Sequence, residues 1–404
     1  MTIARGVGKK IAFKKETAWG ELAGAASAKY LRRVTSAFNL TKETYESNEI
    51  RTDYQVADMR HGVRSAEGSL NGEFSPGSYT DFIQGVLARD FTAGGTATGL
   101  TVTIAASGNL FTIARTAGSW ITDGFFVGNV IRLTGASLNV ANQDNNLLIV
   151  AITALQITVR VLSGTTLVPQ ASIASVGATA VGKQTFAPLT GHTDDSFTIE
   201  EFFSDIAQSE VYTGMKVGSM AMQLPATGLV TCDFSFMGKN LQQTGTTQYF
   251  TTPTNASANG IFAAVNGAVV VNGVPVSVIT SADITIERGL EPAQTIGTNF
   301  AADVFTGRIR VNGNFSTYFE NAAFRTYFDQ EQTVSLVIAL TTDNAKNAGV
   351  VSLVLPKVKI GSATKEDGEM GIISQHSFTA LLNDTSASAS GLPLTTVLVQ
   401  DTTI

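Results

Sequence analysis

The sequence predicts a mainly β protein: two tandem β-sandwich domains, each with one short helix, and a small β-barrel or sandwich inserted into the first. Three observations lead there. The dominant hydrophobic period is two, as in strands with one buried face: Leu100-Thr101-Val102-Thr103-Ile104, Ile157-Thr158-Val159-Arg160-Val161, Phe197-Thr198-Ile199-Glu200, Ser219-Met220-Ala221-Met222-Gln223-Leu224 and Arg308-Ile309-Arg310-Val311 all alternate. Helix-period stretches are few. Two blocks about 245 residues apart also echo one another. Val34-Thr35-Ser36-Ala37 leads through Leu40-Thr41-Lys42-Glu43 to Leu70-Asn71-Gly72-Glu73-Phe74-Ser75, and Ile279-Thr280-Ser281-Ala282 leads through Ile284-Thr285-Ile286-Glu287 to Val311-Asn312-Gly313-Asn314-Phe315-Ser316. That separation exceeds the ~20–50-residue unit of a solenoid and points to a duplicated domain.

In chain order, the first block is followed by a polar connection, Thr44–His61, carrying Glu46, Glu49, Arg51, Asp53, Asp58 and Arg60. A connection this long between two strands that should pair is uncommon unless it has a task. Docking to another subunit is the simplest one. Ser78–Leu87 then places Tyr79, Phe82, Ile83 and Val86 on one helical face, with Ser75, Gly77 or Ser78 as candidate caps. Residues 96–183 hold only Arg115, Asp123, Arg132, Asp144, Arg160 and Lys183 as charged side chains, and the glycine- and threonine-rich flanks read as flexible connectors. This window is the inserted domain. Insertion into a surface loop is tolerated because closure entropy grows slowly with loop length. The first repeat resumes near Ser196. In the second, Arg288–Phe305 is the counterpart of the polar connection, and Asn321–Phe328, with Phe324, Tyr327 and Phe328, is the counterpart of the helix. The expected limits are 1–95 and 184–268 for the first domain, 96–183 for the insert and 269–404 for the second.

Composition narrows the function. Charged residues make up 15% of the 404-residue chain, against ~25% in ordinary soluble domains, which suits a surface hidden in an assembly. A net charge of −6 without a basic stripe argues against a dedicated nucleic-acid binder. The single cysteine, Cys232, excludes an internal disulfide and alternates inward as a small hydrophobe. No apolar run reaches the ~18–20 residues of a membrane span, and no apolar stretch follows the basic N-terminus as in a signal peptide, so the expected setting is the cytoplasm.

The search for chemistry comes up empty, and no catalytic, cofactor or metal residues are assigned. His61, His192 and His376 lack metal-ligand spacing, and Gly6-Val7-Gly8-Lys9-Lys10 lacks the spacing of a phosphate loop. Glu200-Glu201 point to opposite faces of a strand, with Glu200 expected at the surface, and Lys365-Glu366-Asp367-Gly368-Glu369 reads as a solvated hairpin. Trp19 and Trp120 are candidates for carbohydrate stacking if the chain were a glycan-binding adhesin, with Trp120 in the insert.

Several stretches resemble the tail tube proteins of long-tailed, siphovirus-like bacteriophages: Lys14-Lys15-Glu16-Thr17, Ser36–Glu43, Ser47–Asp53 with Gln55–Asp58, Arg60–Ser65 and Gly68–Tyr79. Tyr212-Thr213-Gly214-Met215-Lys216-Val217 and Asp367–Ile372 are similar to later family segments. The resemblance implies a virion protein whose inner strands join those of its neighbours around a lumen, in rings stacked into a tube through which DNA leaves the capsid. It implies self-association, a tape measure protein in the lumen during assembly, tail terminator and distal tail or baseplate partners, and DNA passing without specific binding. By position, Thr44–His61 matches the loop projected onto the adjacent ring. Two domains per chain predict three chains per ring.

Overall fold

The computed structural model describes residues 3–366, 369, 371–385 and 390–404. The chain is mainly β, with two short α-helices among the described residues, as the periodicity predicts. Eight antiparallel strands form one continuous sheet in the order Thr35–Glu46, Met59–Glu73, Thr231–Gly238, Gln208–Leu224, Ile279–Ala293, Asp303–Tyr318, Ile373–Ala380, Val350–Ile360. The first four come from one half of the chain and the last four from the other. They join where Ser219–Leu224 pairs with Ala282–Glu287.

The halves repeat one plan. Each has a long hairpin, a helix, then three strands. The middle strand of the three, Gln208–Leu224 or Val350–Ile360, pairs with strands of two layers. Leu70–Ser75 and Val311–Ser316 occupy matching places: Gly72 lies opposite Cys232, and Gly313 opposite Phe378. The repeated glycine has a reason. A Cβ on Gly72 would lie 1.9 Å from the Tyr79 hydroxyl, and one on Gly313 2.2 Å from Asp283 O and 2.6 Å from the Phe378 ring. The echo in the preceding strand does not superpose, because Ser36 faces Leu70 whereas Ser281 faces Ser316. Similar tetrapeptides there sit out of register, which is where the drift between the blocks comes from.

Helix α1, Thr80–Leu87, buries Phe82, Ile83, Val86 and Leu87 as its period predicts. None of the expected caps acts. Tyr79 stands at the N-cap without a side-chain bond, and Ser75 and Ser78 hydroxyls bond each other at 2.7 Å. Helix α2, Ala323–Asp329, buries no residue fully, and Phe328 is 42% exposed. One hydrophobic core runs through both halves, from Ile11 and Phe13 to Phe378 and Val399.

Six strands between Thr96 and Ala180 close into a separate barrel around Trp120, Phe125, Leu147 and Ile157. One expected flexible flank is a ladder: Thr92–Ala93 pairs with Lys183–Gln184, tying the two ends of the insertion together. The barrel also packs on the other half of the chain. Strands Thr333–Thr341 and Val350–Ile360 are apolar on both faces, as strands sandwiched between two layers must be. One face meets the main core; on the other, Val337, Ala339, Val350 and Val354 meet Val127, Val130, Leu148 and Val150 of the barrel. Gln400, 1% exposed, stitches this interface. Its carbonyl accepts from Val130 N at 2.8 Å, and its amide donates to Val130 O at 2.9 Å and Val181 O at 2.8 Å. Replacing it by leucine orphans these buried groups. Gln400→Leu is expected to weaken the joint by roughly 3 kcal/mol, read as faster hydrogen exchange at Val130 and Val181.

Candidate assembly surface

The two faces of the eight-stranded sheet differ in kind. One carries Phe38, Leu70, Phe234, Met220, Ile286, Val311 and Phe378 into the core. The other carries small polar side chains, among them Thr35, Asn39, Ser69, Thr231, Ser235, Gln223, Thr285, Asn312 and Thr379, none of them buried. They bond across strands: Asn71 Nδ2 donates to Asp233 Oδ1 at 2.7 Å, Asn314 Nδ2 donates to Asp283 Oδ2 at 3.1 Å, and the hydroxyls of Ser219 and Ser235 are 2.6 Å apart. Charge on this face includes Glu67, Glu73 and Asp233 from first-half strands and Asp283, Glu287, Arg310 and Lys359 from second-half strands. Two-residue alternation gives both faces in sequence. Which one is covered follows only from the second layer packed behind it.

The edge of this sheet is a strand of 12 residues, Thr35–Glu46, that among the described residues pairs only with Met59–Glu73. Unpaired edges of such length invite pairing with another chain. Its hairpin extends further than its sequence suggests. Thr44, Tyr45 and Glu46 pair with His61, Arg60 and Met59, so the irregular connection shrinks to residues 47–58.

The six charged residues expected to serve as the docking surface are all exposed. Most are spent on one another. Arg51 Nη2 lies 2.9 Å from Asp53 and its Nη1 4.0 Å from Glu49, while Arg60 Nε lies 2.8 Å from Asp58. The Arg51 guanidinium bonded to Asp53 holds that carboxyl below its ordinary range. Glu46 has no ion-pair partner among the described residues. What sequence reasoning passed over is apolar: Ile50 is 100% exposed and Tyr54 98%, with Val56 and Met59 beside them. Large apolar groups held fully in water at a loop tip are the signal that would have found them. In the second half, Arg288–Ala293 and Asp303–Phe305 are strand, leaving residues 294–302 as the loop. That loop lies on the chain's own first half, with Arg64 N donating to Asn299 O at 3.0 Å and the Arg64 guanidinium 3.8 Å from the Phe300 ring centre.

The residues weighed for chemistry have structural employment. Glu200 is buried rather than at the surface, because its carboxylate pins the chain at residues 249–250 through Phe250 N at 2.9 Å and takes the Ser209 hydroxyl at 2.6 Å. Glu201 pairs with Lys9, and burial raises its pKa. Burial likewise pushes the Cys232 thiol upward, away from a reactive thiolate. Trp120 is fully buried, so it offers no face to a sugar, and Trp19 donates to Gly214 O at 3.1 Å beside Lys239. Among the described residues no group of His, Cys, Asp and Glu is placed to hold a metal. Asp367, Gly368 and Met370 of the expected charged hairpin and family segment lie outside the described residues.

A continuous sheet with a polar face, an open edge and a projecting loop is the geometry of a chain able to pair with copies of itself. Over residues 6–380 the sequence matches the family described as phage tail tube protein, and the chain belongs to that family. No curated protein sequence matches it. Membership makes it a structural component of a phage tail, built to associate with itself and with other tail proteins.

Proposed function

We propose that three chains close their eight-stranded sheets into one ring, polar face inward, and that stacked rings form the conduit for DNA leaving the capsid. The observation that carries this reading is the joint between the halves: one chain already pairs two tube-type sheets edge to edge, and it keeps an unpaired edge for the next. Strand number favours three chains. Strands ~4.8 Å apart and tilted by ~40° need about 48 Å of backbone diameter for three times eight, 24, strands, which leaves roughly 35 Å between side chains. Two chains leave on the order of 20 Å, no wider than the duplex itself, and eight strands fill their own interior. In this reading residues 1–95 and 184–268 form one tube domain and 269–404 the other. The barrel of 96–183 faces outward, because it packs behind the second layer, away from the polar face. The polar face mixes Glu67, Glu73, Asp233, Asp283 and Glu287 with Arg310 and Lys359, so it lacks the one-sided positive field that would hold phosphates.

Mass measurement on assembled rings is expected to give three chains; six would overturn the symmetry. Deleting residues 47–58 is expected to leave a folded chain that forms rings but no tubes. Normal tubes from that deletion, seen by electron microscopy, would remove the loop from the stacking contact.

A further inference from the structure

We propose that the tip of the 47–58 loop docks in the cleft beside α2 on a chain of the adjacent ring, with Tyr54 entering the cleft. The proposal rests on the ring-and-tube reading and makes its stacking contact specific.

The cleft encloses about 480 Å³ between α2, the hairpin at residues 271–278 and the ends of the strands Asp303–Tyr318 and Ile373–Ala380. Val276, Phe319, Phe324 and Tyr327 wall it. Its floor holds His376 and Ser374, each 3% exposed. Among the described residues the Ser374 hydroxyl and the His376 Nδ1 are buried without a hydrogen-bond partner of good geometry, and the Ser362 backbone lies beside the His376 ring. Buried polar atoms of this kind are normally satisfied. Burial lowers the His376 pKa against an opposing contribution from the Ser362 backbone, and a neutral imidazole can accept or donate by tautomer.

The first half closes the corresponding strand ends with a residue of its own. There Phe262, fully buried, wedges between the corresponding strand ends: Phe262 N donates to Phe74 O and Val230 N donates to Phe262 O, both at 2.9 Å, with the Phe262 ring 5.5 Å from that of Phe74. Phe315 and His376 stand where Phe74 and Val230 do. The second half has no such inserted residue: Phe315 and His376 pair directly, the Phe324 ring lies 5.2 Å from Phe315 and 5.1 Å from His376, and the cleft opens beyond them.

Geometry and charge select the loop tip as the plug. Successive strands are antiparallel, so Met59–Glu73 and Asp303–Tyr318 run in the same direction. The loop precedes the first and the cleft follows the second, which puts them at opposite ends of one sheet, as head-to-tail stacking requires. The loop carries Glu46, Glu49, Asp53 and Asp58 against Arg51 and Arg60, while the cleft mouth carries Arg325 and Lys365 against Glu320. The counterpart loop, residues 294–302, is held on Arg64 through Asn299 and Phe300 and exposes Ile296 alone among its large apolar side chains, whereas the 47–58 loop exposes Ile50, Tyr54 and Val56 together.

The test is a cross-link in the full chain. Tyr54→Cys is combined with Val274→Cys at the cleft mouth, while native Cys232 is buried and stays silent. Oxidised tubes are expected to run as a ladder of multimers on a non-reducing gel, and both single variants as monomers. Tubes without a ladder overturn the docking and leave the tube reading standing. A wild-type chain that never assembles overturns the tube reading and the docking with it. Should the cysteines block assembly, a synthetic peptide of residues 45–60 added to wild-type chain decides. It is expected to slow tube growth at least fivefold, and the same peptide with Tyr54→Asp to have no effect. Equal action of the two peptides, or none from the native one, overturns the proposal.

Discussion

Phe82→Ala is expected to destabilise the chain by roughly 3–5 kcal/mol, the range for emptying a buried aromatic site. Phe82 has no exposed surface and sits among four rings, with centroids at 4.8 Å to Phe13, 5.0 Å to Phe236, 5.3 Å to Phe197 and 5.6 Å to Phe234. These four come from three different strands, so no single element can move in to fill the gap. Surface-level loss on denaturant unfolding, below about 1 kcal/mol, would mean that α1 is not the keystone of the first half. The matching change in α2 gives the contrast. Phe328 is 42% exposed, and Phe328→Ala is expected to change the free chain by no more than about 0.5 kcal/mol. One helix is closed over by its own chain; the other waits at the mouth of a cleft.

That asymmetry marks the limit of what the residues alone reveal. Period-two alternation located the strands and divided each into two faces, because burying one face of a pleated strand forces it. The α1 stripe was legible for the same reason at period 3.6. The Asn-Gly pair of each block was legible as a repeat, and its cause, an aromatic ring resting on the glycine, needs the neighbouring strand. Glu200 shows the opposite outcome. A glutamate in an alternating run reads as solvated, yet backbone N–H groups from 50 residues further on surround it. Long-range polar satisfaction leaves no local period. The barrel's attachment to the far half through Gln400 was hidden likewise. For the loop, charge drew attention to Arg51 and Asp53, which satisfy each other, and away from Ile50 and Tyr54, which nothing in the chain satisfies. Family-like segments at residues 14–17 and 212–217 turn out to meet: Glu16 accepts from Gly214 N at 2.8 Å and from Thr198 Oγ1 at 2.9 Å.

Lys216→Met is expected to cost about 2 kcal/mol, concentrated at the joint between the halves. Lys216 is 2% exposed, and its ammonium reaches Asp194 at 2.6 Å, Asp303 at 3.0 Å and Val304 O at 2.8 Å. It crosses from a first-half strand to a second-half strand beside the Ser219–Leu224 pairing. Breaking a fully buried ion pair costs ~3–5 kcal/mol, but Asp194 and Asp303 are 49% and 42% exposed and regain water, which lowers the figure. Methionine keeps the stem, so the loss reports the charge rather than a cavity. Arg288 shares Asp194 at 3.6 Å and donates to Gly85 O at 3.0 Å, so Lys216 and Arg288 should couple in a double-mutant cycle. Hydrogen exchange is expected to quicken at residues 219–224 and 282–287 and to stay unchanged in the barrel core around Ile131 and Leu147. Uniform acceleration would instead make the two halves a single cooperative unit. The residue at the matching place in the second half, counted back from Ile360 as Lys216 is from Met222, is Val354, which packs against Gly128 of the barrel. The joint between neighbouring chains in the proposed ring therefore lacks the lysine that reinforces the joint within a chain, and dilution should separate rings into intact chains before it opens any chain at its middle.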